Sequence, residues 1–330
     1  MGDIREVAKM ANVSPSTVSR VLGGKVPVAE ETKNKVLAAI AELNYRPNMV
    51  AQSLKGGRFR SIGLIIPNVR SLVFPAAIRG IEDVAMKHGY IVVLCNTDED
   101  QEQEKAYIEG LRSRLVDGFI FSTARPDYQN IKALEEEGFP LVLLLRQMGS
   151  QAHAVVVDNF DGAYQATQHL IARGLKRIAL INGSLDIQLY QERFHGYKQA
   201  MDEAWLPLPD GAVLQGIYGW EDAYRETMGL LSAGTKVDAF FATNDPKAAG
   251  VMRAVKDFGL SIPGDISVMG FDDSDIAPLL DPPLTTVAQP FYKMGAKACE
   301  QLIKVIEGKR RPKPKIDVFP AKLVVRGSVK

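Results

Sequence analysis

The sequence predicts an α/β protein with a small all-α headpiece followed by a larger two-lobed α/β domain. Two observations support this fold class. Three short amphipathic helical patterns occupy the first 45 residues, and from Ser61 onward short β-branched runs alternate with amphipathic stretches. Such alternation predicts parallel sheets covered by helices on both faces. A chain of 330 residues is also long enough for two or three domains.

The headpiece contains the start signals of three helices. Asp3 and the glutamate three residues later have the spacing of a capping box. Ser14 is a good N-cap, and Pro15 follows at the first helical position, where its missing N–H costs nothing. A third helix is predicted over about 30–44. The tight turn and the small polar second helix are typical of a helix-turn-helix, although a helical subdomain with an ordinary polar face has the same pattern.

Charge is distributed unevenly along the chain. Residues 1–60 contain ten Lys or Arg against five Asp or Glu, although the whole chain has a net charge of only +1. A basic head on a mildly acidic body is expected if only the head approaches phosphates. The same excess is common on solvated surfaces, so it does not by itself indicate nucleic-acid binding.

The headpiece residues resemble a known family. The runs VAKMANVSPSTVSRVL (7–22) and VAEETKNKVLAAIAELNYRPNMVAQSLK (28–55) are similar to the headpiece of the lactose-repressor (LacI/GalR) family of bacterial transcription regulators. The resemblance implies that the second helix lies in the major groove of double-stranded DNA. Three residues match positions that read bases in that family, and three neighbours are better placed for phosphates. The first three are Pro15, Ser16 and Arg20, and the others are Ser14, Thr17 and Ser19.

A hinge is predicted over residues 46–58. Asn48 can cap a helix of about two turns, MVAQSLK (49–55), which is shorter than the ~12–15 residues at which isolated helices become marginal in water. In the resembling family this segment folds when two copies pair in the minor groove of the operator. The resemblance assigns the wedge between base pairs to Leu54 and a phosphate contact to Lys55. A flexible linker with one buried leucine is the alternative.

The body is predicted to contain eight strands and eight helices. The strands lie at 61–66, 90–95, 117–121, 140–145, 154–157, 176–181, 237–242 and 265–270. The helices lie near 75–88, 101–114, 128–137, 159–173, 191–204, 220–233, 246–258 and 290–307. Two similar halves suggest two lobes, and open α/β sheets bind ligands at the carboxyl ends of their strands.

Those strand ends are unusually polar, beginning with Asn68 after the first strand, although each polar residue taken alone could be a helix N-cap. The body also resembles the lactose-repressor family and the sugar-binding proteins of the bacterial periplasm. The resemblance implies an N-lobe of 60–157 plus 290–319 and a C-lobe of 158–289 plus 320–330. It also implies a pocket in which Arg and carboxylates bind vicinal hydroxyls while aromatic rings cover the C–H face of a sugar. The matching positions are Phe74, Arg193, Tyr218 or Trp220, Asn244, Asp245 and Asp272.

Two positions depart from the family pattern. Ile187 stands where the purine-responsive member has an arginine, which argues against that purine ligand. Pro246-Lys247 replaces the usual apolar continuation after Asn244-Asp245, so this part of the pocket is not inferred from the family.

Several function classes lack their sequence signals. The chain has no G-x-S-x-G elbow, P-loop, G-x-G-x-x-G or metal-ligand spacing, so we expect neither catalysis nor a cofactor or metal. Cys95 and Cys299 are expected to be buried thiols. No apolar stretch reaches ~18 residues and the start lacks the order of a signal peptide, so we expect a cytoplasmic protein without membrane contact. The basic run at 309–315 is expected to be a solvated crossover loop.

Together these observations predict a dimeric DNA-binding regulator, a repressor on the family's pattern, that binds a near-palindromic operator and responds to a small neutral sugar-like effector. The expected parts are a headpiece (1–45), a hinge helix (46–58) and an effector-binding and dimerisation domain (59–330). Two alternatives stay open. One is a regulator whose cleft takes a protein corepressor, and the other is a sugar-binding or sugar-processing protein that uses residues 1–60 without DNA.

Overall fold

The computed structural model describes residues 3–23, 27–45, 59–113, 116–149, 152–308 and 313–330. The chain divides into two compact units, Met1–Phe59 and Arg60–Lys330. The hinge segment lies outside the described residues, and so do the DNA contacts expected there, Asn48, Leu54 and Lys55. Four residues of the basic run, 309–312, also lie outside them.

The first unit contains three described helices, α1 (Ile4–Met10), α2 (Pro15–Gly23) and α3 (Glu30–Glu42). The predicted capping box is confirmed, because the Asp3 side chain caps α1 and the Asp3 N–H donates to Glu6 Oε2 at 3.0 Å. The three helices enclose one small apolar core. Its buried members are Val7, Ala8, Ala11, Val18, Val36 and Ala39.

A Schellman-type turn joins α1 to α2. The Val13 N–H donates to the Ala8 carbonyl at 2.9 Å, and the Asn12 N–H donates to the Lys9 carbonyl at 3.2 Å. Asn12 adopts φ 52, in the left-handed region that asparagine tolerates better than most residues. This confirms the tight turn predicted between the two helices, and the turn sets the angle at which α2 leaves α1.

The described part of the second unit contains twelve strands in three sheets. They are β1 (Ser61–Ile66), β2 (Ile91–Asn96), β3 (Gly118–Phe121), β4 (Leu141–Leu144), β5 (His153–Val157), β6 (Ile178–Ile181), β7 (Val213–Leu214), β8 (Ala239–Ala242), β9 (Ser267–Met269), β10 (Thr286–Ala288), β11 (Ile316–Phe319) and β12 (Lys322–Val324). A six-stranded parallel sheet has the order β11-β5-β4-β3-β1-β2, and a four-stranded parallel sheet has the order β7-β6-β8-β9. Strands β10 and β12 pair antiparallel. We call the lobe on the six-stranded sheet the N-lobe and the lobe on the four-stranded sheet the C-lobe.

Eight described helices alternate with these strands. They are α4 (Phe74–Lys87), α5 (Gln101–Arg112), α6 (Gln129–Glu137), α7 (Asn159–Ala172), α8 (Gln188–Glu203), α9 (Trp220–Ser232), α10 (Asp245–Asp257) and α11 (Phe291–Glu307). The predicted α/β class is therefore confirmed. Helices α4 and α11 pack together on the N-lobe, whereas α7 packs on α8 and α9 on α10 in the C-lobe. None of the described helices has the length and apolar composition needed to cross a membrane.

Some element boundaries differ from those expected. Helix α8 begins at Gln188 rather than at 191, and four short strands (β7, β10, β11 and β12) were not predicted. Helices α7 and α10 begin at Asn159 and Asp245, and their N-caps are Asp158 and Asn244. In both cases the N-cap side chain accepts the N–H of the third helical residue.

The chain passes between the two lobes three times. It leaves the N-lobe sheet after β5, returns between β10 and α11, and crosses again between β11 and β12. The Asp158 N–H donates to the Phe319 carbonyl at 2.9 Å, so two of these crossings are hydrogen-bonded to each other. Both lobes are therefore built from segments that are distant in sequence.

Three helix pairs approach each other closely at a glycine. A Cβ atom on Gly196 of α8 would lie 2.2 Å from the Phe160 carbonyl oxygen of α7. A Cβ on Gly295 of α11 would lie 2.1 Å from the carbonyl oxygen of Ala77, and one on Gly250 would lie 2.2 Å from that of Trp220. Real Cβ atoms essentially never come this close to backbone, so these helix pairs could not keep their spacing with a larger residue.

We expect Gly196→Ala to lower the free energy of unfolding by about 1–3 kcal/mol, because the new methyl group must push two helices apart. The matched control is Gly110→Ala on α5, where a Cβ would meet no atom within 4 Å. The control should raise stability by up to ~1 kcal/mol, since alanine is the better helix former. Urea denaturation followed by circular dichroism measures both, and an unchanged midpoint for Gly196→Ala would contradict the close packing.

Candidate functional site

One face of α2 is presented to solvent. Pro15, Ser16 and Arg20 are exposed and Ser19 is partly exposed, whereas Val18 points into the headpiece core and is fully buried. Helix α2 thus has the small polar outer face that a recognition helix needs to enter the major groove.

Ser14 has a local role in this helix. Its Oγ accepts the Thr17 N–H at 3.2 Å and lies 2.7 Å from Ser16 Oγ and 2.9 Å from Thr17 Oγ1. The hydroxyl therefore caps α2, as the sequence predicted, and it also orients two hydroxyls on the exposed end of the helix.

Arg20 carries the positive charge of this face. Within the described part of the headpiece no carboxylate lies inside the 4.0 Å ion-pair distance of its guanidinium. A guanidinium that is exposed and has no acidic neighbour can direct its fork of donors at a guanine edge or a phosphate.

In the second unit, Arg193 of α8 is fixed at the carboxyl ends of the C-lobe strands. The side chain is buried, and its Nε donates to Asn159 Oδ1 at 2.9 Å while Nη1 donates to the Thr243 carbonyl. The guanidinium lies 3.8 Å above the Phe271 ring, and Nη1 is 3.8 Å from Asp272 Oδ1. These contacts hold the guanidinium in one orientation.

Asp272 is the carboxylate beside Arg193. It is buried, adopts φ 114 and accepts a hydrogen bond from Gln289 Nε2 at 2.7 Å. Burial raises the pKa of Asp272 to about 7 despite the opposing charge of Arg193, and the neighbouring Asp245 adds to the rise. Near neutral pH this carboxyl group therefore exchanges a proton easily.

Asp245 makes three internal hydrogen bonds. Its carboxylate accepts the Ser274 N–H at 2.6 Å, the Ser274 hydroxyl at 2.8 Å and the Thr286 hydroxyl at 2.6 Å. Burial raises the pKa of Asp245 to about 6, although these donors oppose the shift. The residue ties the start of α10 to the segment after β9 and to β10, so its contacts are those of an internal brace.

The other residues expected in the pocket are dispersed. Asn244 caps α10, and Phe74 is buried in the apolar core at the start of α4. Asn68 is exposed and its side chain accepts the Arg70 N–H at 2.8 Å. Tyr218 and Trp220 are both largely exposed. Of these two, only Tyr218 contributes to the pKa of an N-lobe residue, since its charge is among those that raise the pKa of Arg125.

The N-lobe contributes a charged group that the sequence reading missed. Glu99, after β2, binds Arg146 (after β4) at 2.5 Å and Arg125 (after β3) at 3.0 Å. Burial would raise the pKa of Glu99, but the two guanidinium groups outweigh burial and lower it. The only signal in the sequence was position, because each of the three residues shortly follows an apolar run.

Lys247 and Tyr190 were also missed as site residues. The Lys247 side chain is fully buried, and its Nζ lies 4.4 Å from the centre of the Tyr190 ring. Tyr190 in turn lies 5.9 Å from the Arg193 guanidinium. The site thus contains a basic cluster next to the Arg193 and Asp272 pair.

A separate surface cavity of about 720 Å³ lies at the opposite ends of the C-lobe strands. Its lining residues are Gly174, Lys176, Arg177, Leu206, Pro207, Pro209, Asp210, Thr235, Lys236 and Asp238. Two of its charged groups, the exposed Arg177 and the partly exposed Asp238, are already paired with each other. The polar strand ends around Arg193 are the better candidate site, because ligands of open α/β sheets bind at the carboxyl ends. The described residues contain no cluster of His, Cys, Asp and Glu arranged to hold a metal ion.

Two family descriptions match the chain. Residues 3–48 match "Bacterial regulatory proteins, lacI family", and residues 167–329 match "Periplasmic binding protein-like domain". The chain is 40% identical over 330 residues to the ribose operon repressor of Halalkalibacterium halodurans, and the alignment covers 100% of this chain and 98% of that protein. The chain belongs to the lacI family of bacterial regulatory proteins.

Solved structures agree with this membership in the lacI family. The lac repressor dimer bound to operator and the anti-inducer ONPF superposes with a TM-score of 0.89 at 29% identity, over 99% of this chain and 98% of that chain. The complex of the transcriptional regulator CelR with cellobiose gives a TM-score of 0.75 at 30% identity, over 99% and 100%. These relatives are transcription regulators, which confirms the prediction of a DNA-binding regulator rather than an enzyme.

The raised pKa of Asp272 predicts a pH-dependent stability. The folded protein holds the Asp272 proton up to about pH 7, whereas the unfolded chain loses it near pH 4. Ionisation therefore disfavours the folded state increasingly as the pH rises from about 4 to about 7. Asp272→Asn removes this effect, so the difference in Tm between variant and wild type should become more positive from pH 5 to pH 8.

The control is Asp257→Asn, which removes a carboxylate bound by Arg253 at 2.7 Å. The hydrogen bond and charge of Arg253 lower the pKa of Asp257, so this pair favours the folded state once the carboxylate is ionised. The pKa of Asp257 lies below the ordinary value of 3.8, so its carboxylate is fully ionised by pH 5, and the Tm difference between this variant and wild type should stay constant from pH 5 to pH 8. Differential scanning calorimetry measures both variants, and a difference for Asp272→Asn that is as constant as that of the control would refute the assignment for Asp272.

Proposed function

We propose that this chain is an effector-controlled repressor that binds a near-palindromic DNA operator as a homodimer. The observation that carries the proposal is the exposed Pro15, Ser16 and Arg20 face of α2, in a headpiece whose sequence matches the lacI family. With a DNA operator as its partner, the protein is proposed to act in the bacterial cytoplasm.

The three exposed residues would divide the reading of the operator among them. Arg20 offers a bidentate fork to the O6 and N7 atoms of guanine, and Ser16 offers one hydroxyl to a base edge. Pro15 has no side-chain donor or acceptor, so its contact is apolar. Ser14, Thr17 and Ser19 would bind phosphates, which position the helix without selecting a sequence.

Arg20 variants test this division. We expect Arg20→Lys to keep most of the affinity for random duplex DNA but to lose about 1–3 kcal/mol of preference for a selected palindromic duplex, because a lysine cannot make the bidentate contact. Arg20→Ala should lose the same preference and also reduce the salt dependence of binding. Fluorescence anisotropy with both duplexes over a range of salt concentrations measures these quantities. Equal preference in wild type and Arg20→Lys would show that Arg20 contacts phosphate only.

The homodimer has a candidate surface on the N-lobe. Strand β2 is an edge strand, and its residues Ile91 (68%) and Leu94 (43%) are exposed, as is Met86 (68%) at the end of α4. Exposed apolar side chains on a sheet edge are typical of an interface. A related structure is a lac repressor dimer. A two-fold dimer presents two α2 helices related by symmetry, which requires two matching half-sites.

We expect Ile91→Lys to raise the dissociation constant of the dimer by at least about tenfold, because an unpaired lysine would be buried at the interface. The matched control is Ile316→Lys on β11, the opposite edge of the same sheet, where Ile316 is also half exposed. Sedimentation velocity over a range of concentrations compares the two. If only Ile316→Lys weakens the dimer, the interface lies at β11, and the assignment to β2 is wrong.

Effector control is proposed to act through the hinge. On the pattern of the lacI family, Asn48 caps the hinge helix, Leu54 enters the minor groove and Lys55 binds a phosphate. Ligand binding between the lobes would favour one lobe arrangement by a coupling of ~1–3 kcal/mol, and only one arrangement would let both hinge helices form. The proposal divides the chain into a headpiece (1–45), a hinge helix (46–58) and an effector-binding and dimerisation domain (59–330). Within that domain, the N-lobe comprises 60–157 and 290–319, and the C-lobe comprises 158–289 and 320–330.

The effector is proposed to be a sugar or sugar derivative. The ribose operon repressor is a relative by sequence, and CelR is a relative solved with cellobiose. Arg193 and Asp272 supply the donor and acceptor that vicinal hydroxyls need. Both are buried, so a small molecule between the lobes reaches them more readily than the surface of a protein corepressor does.

A further inference from the structure

We propose that the ligand of the cleft between the lobes carries a negative charge, a carboxylate or a phosphate on a sugar-sized skeleton, and that Lys247 binds this group. The inference rests on the proposed function, since it names the ligand class of the same cleft. The sequence alone led us to expect a neutral ligand. The geometry around Lys247 is the reason for adding a charge.

Lys247 is a buried amine without an acidic partner. It is the third residue of α10 and its side chain is 0% exposed. Its Nζ lies 3.4 Å from Thr243 Oγ1 and 4.4 Å from the centre of the Tyr190 ring. Across the described ranges no carboxylate comes within 4.0 Å of it. Lysine is almost never fully buried unless it is paired with an acid, so this amine has a place for an anion.

The nearby acid does not fill that place. The Asp272 carboxylate already accepts a hydrogen bond from Gln289 and lies beside the Arg193 guanidinium. These two donors, and not Lys247, are its partners. Burial lowers the pKa of Lys247, and the positive charge of Arg193 lowers it further, whereas Tyr190 raises it. The net shift is downward, so the amine holds its proton weakly when no ligand is bound. An anion bound at Nζ would stabilise the protonated amine.

Tyr190 reports the sign of the electrostatic potential in the cleft. Burial opposes ionisation of its phenol, yet the charges of Lys247, Arg193 and Arg146 together outweigh burial and lower its pKa. Arg146 belongs to the N-lobe and the other two cations belong to the C-lobe, so positive charge faces the Tyr190 ring from both lobes.

The carboxylates around the site have partners other than Lys247. Glu99 binds Arg125 and Arg146, and Asp272 lies 3.8 Å from Arg193. The Asp245 carboxylate accepts hydrogen bonds from Ser274 and Thr286.

The position of Lys247 in the first turn of α10 adds the positive end of the helix dipole to the same region. A ligand with one anionic group and several hydroxyls would fit this arrangement. Its anionic group would bind Lys247, and its hydroxyls would bind Arg193 and Asp272.

The test compares three full-length proteins, the wild type, Lys247→Met and Lys256→Met. Lys256 is the matched control because it lies on the same helix but is half exposed and binds Asp281 at 3.1 Å. Isothermal titration measures the affinity for inorganic phosphate, D-gluconate, D-glucose 6-phosphate and D-glucose. The gluconate and the phosphate ester separate a carboxylate from a phosphate, and glucose is the uncharged counterpart.

We expect wild type and Lys256→Met to bind at least one anionic probe at least tenfold more tightly than glucose. Lys247→Met should weaken that binding by about 10- to 100-fold, because a hydrogen bond to a charged group is lost. Without ligand, Lys247→Met should melt at the same or a higher temperature, since an apolar side chain of similar volume replaces a buried cation.

Four results would overturn the proposal. The wild type binds none of the anionic probes, all three proteins bind an anionic probe equally, or the wild type binds glucose more tightly than every anion. The fourth is a lower Tm of ligand-free Lys247→Met, which would show that the amine is a structural brace.

Operator affinity measured on the same proteins separates this inference from the proposed function. An anion that binds through Lys247 without changing operator affinity would refute effector control and keep the ligand class. If glucose binds and changes operator affinity, the anionic ligand class is refuted and effector control is kept.

Discussion

The proposed effector site depends on the fixed position of the Arg193 guanidinium. Four groups from different parts of the C-lobe hold it, namely Asn159 at the start of α7, the Thr243 carbonyl after β8, the Phe271 ring and Asp272 after β9. The Arg193 charge is tolerated in the protein interior because these groups satisfy it together. Its charge contributes, after burial, to the pKa shifts of Tyr190, Lys247 and Asp272, so one buried cation influences all three neighbouring groups.

Much of the fold was predictable because it follows from local periodicity. The long buried runs gave the central strands, and capping residues gave the helix starts to within a few positions. Strands β10, β11 and β12 were missed because they are three or four residues long, and on β11 both Ile316 and Val318 are exposed, so no core-facing alternation marks it. Their pairing depends on partners far away in the chain, which local patterns do not contain.

The candidate site was predictable only in part, for a related reason. Resemblance to a family named Arg193, Asp272 and Asp245 as candidates, but only the coordinates show that Arg193 and Asp272 lie side by side and that the Asp245 carboxylate accepts from Ser274 and Thr286. The burial of Lys247 depends on Tyr190, 57 positions earlier in the chain, and the Glu99 cluster depends on arginines after two other strands. Roles set by such distant contacts require coordinates.

The interleaved path of the chain has a consequence for biosynthesis. Helix α11 and strand β11 complete the N-lobe, yet they are encoded after the entire C-lobe sheet. On the ribosome, the first five strands of the N-lobe therefore emerge before β11. The edge of the sheet at β5 stays unpaired until residue 319 has been synthesised. The C-lobe is also completed late, since a nascent chain that ends before Lys322 lacks β12, the strand that pairs with β10.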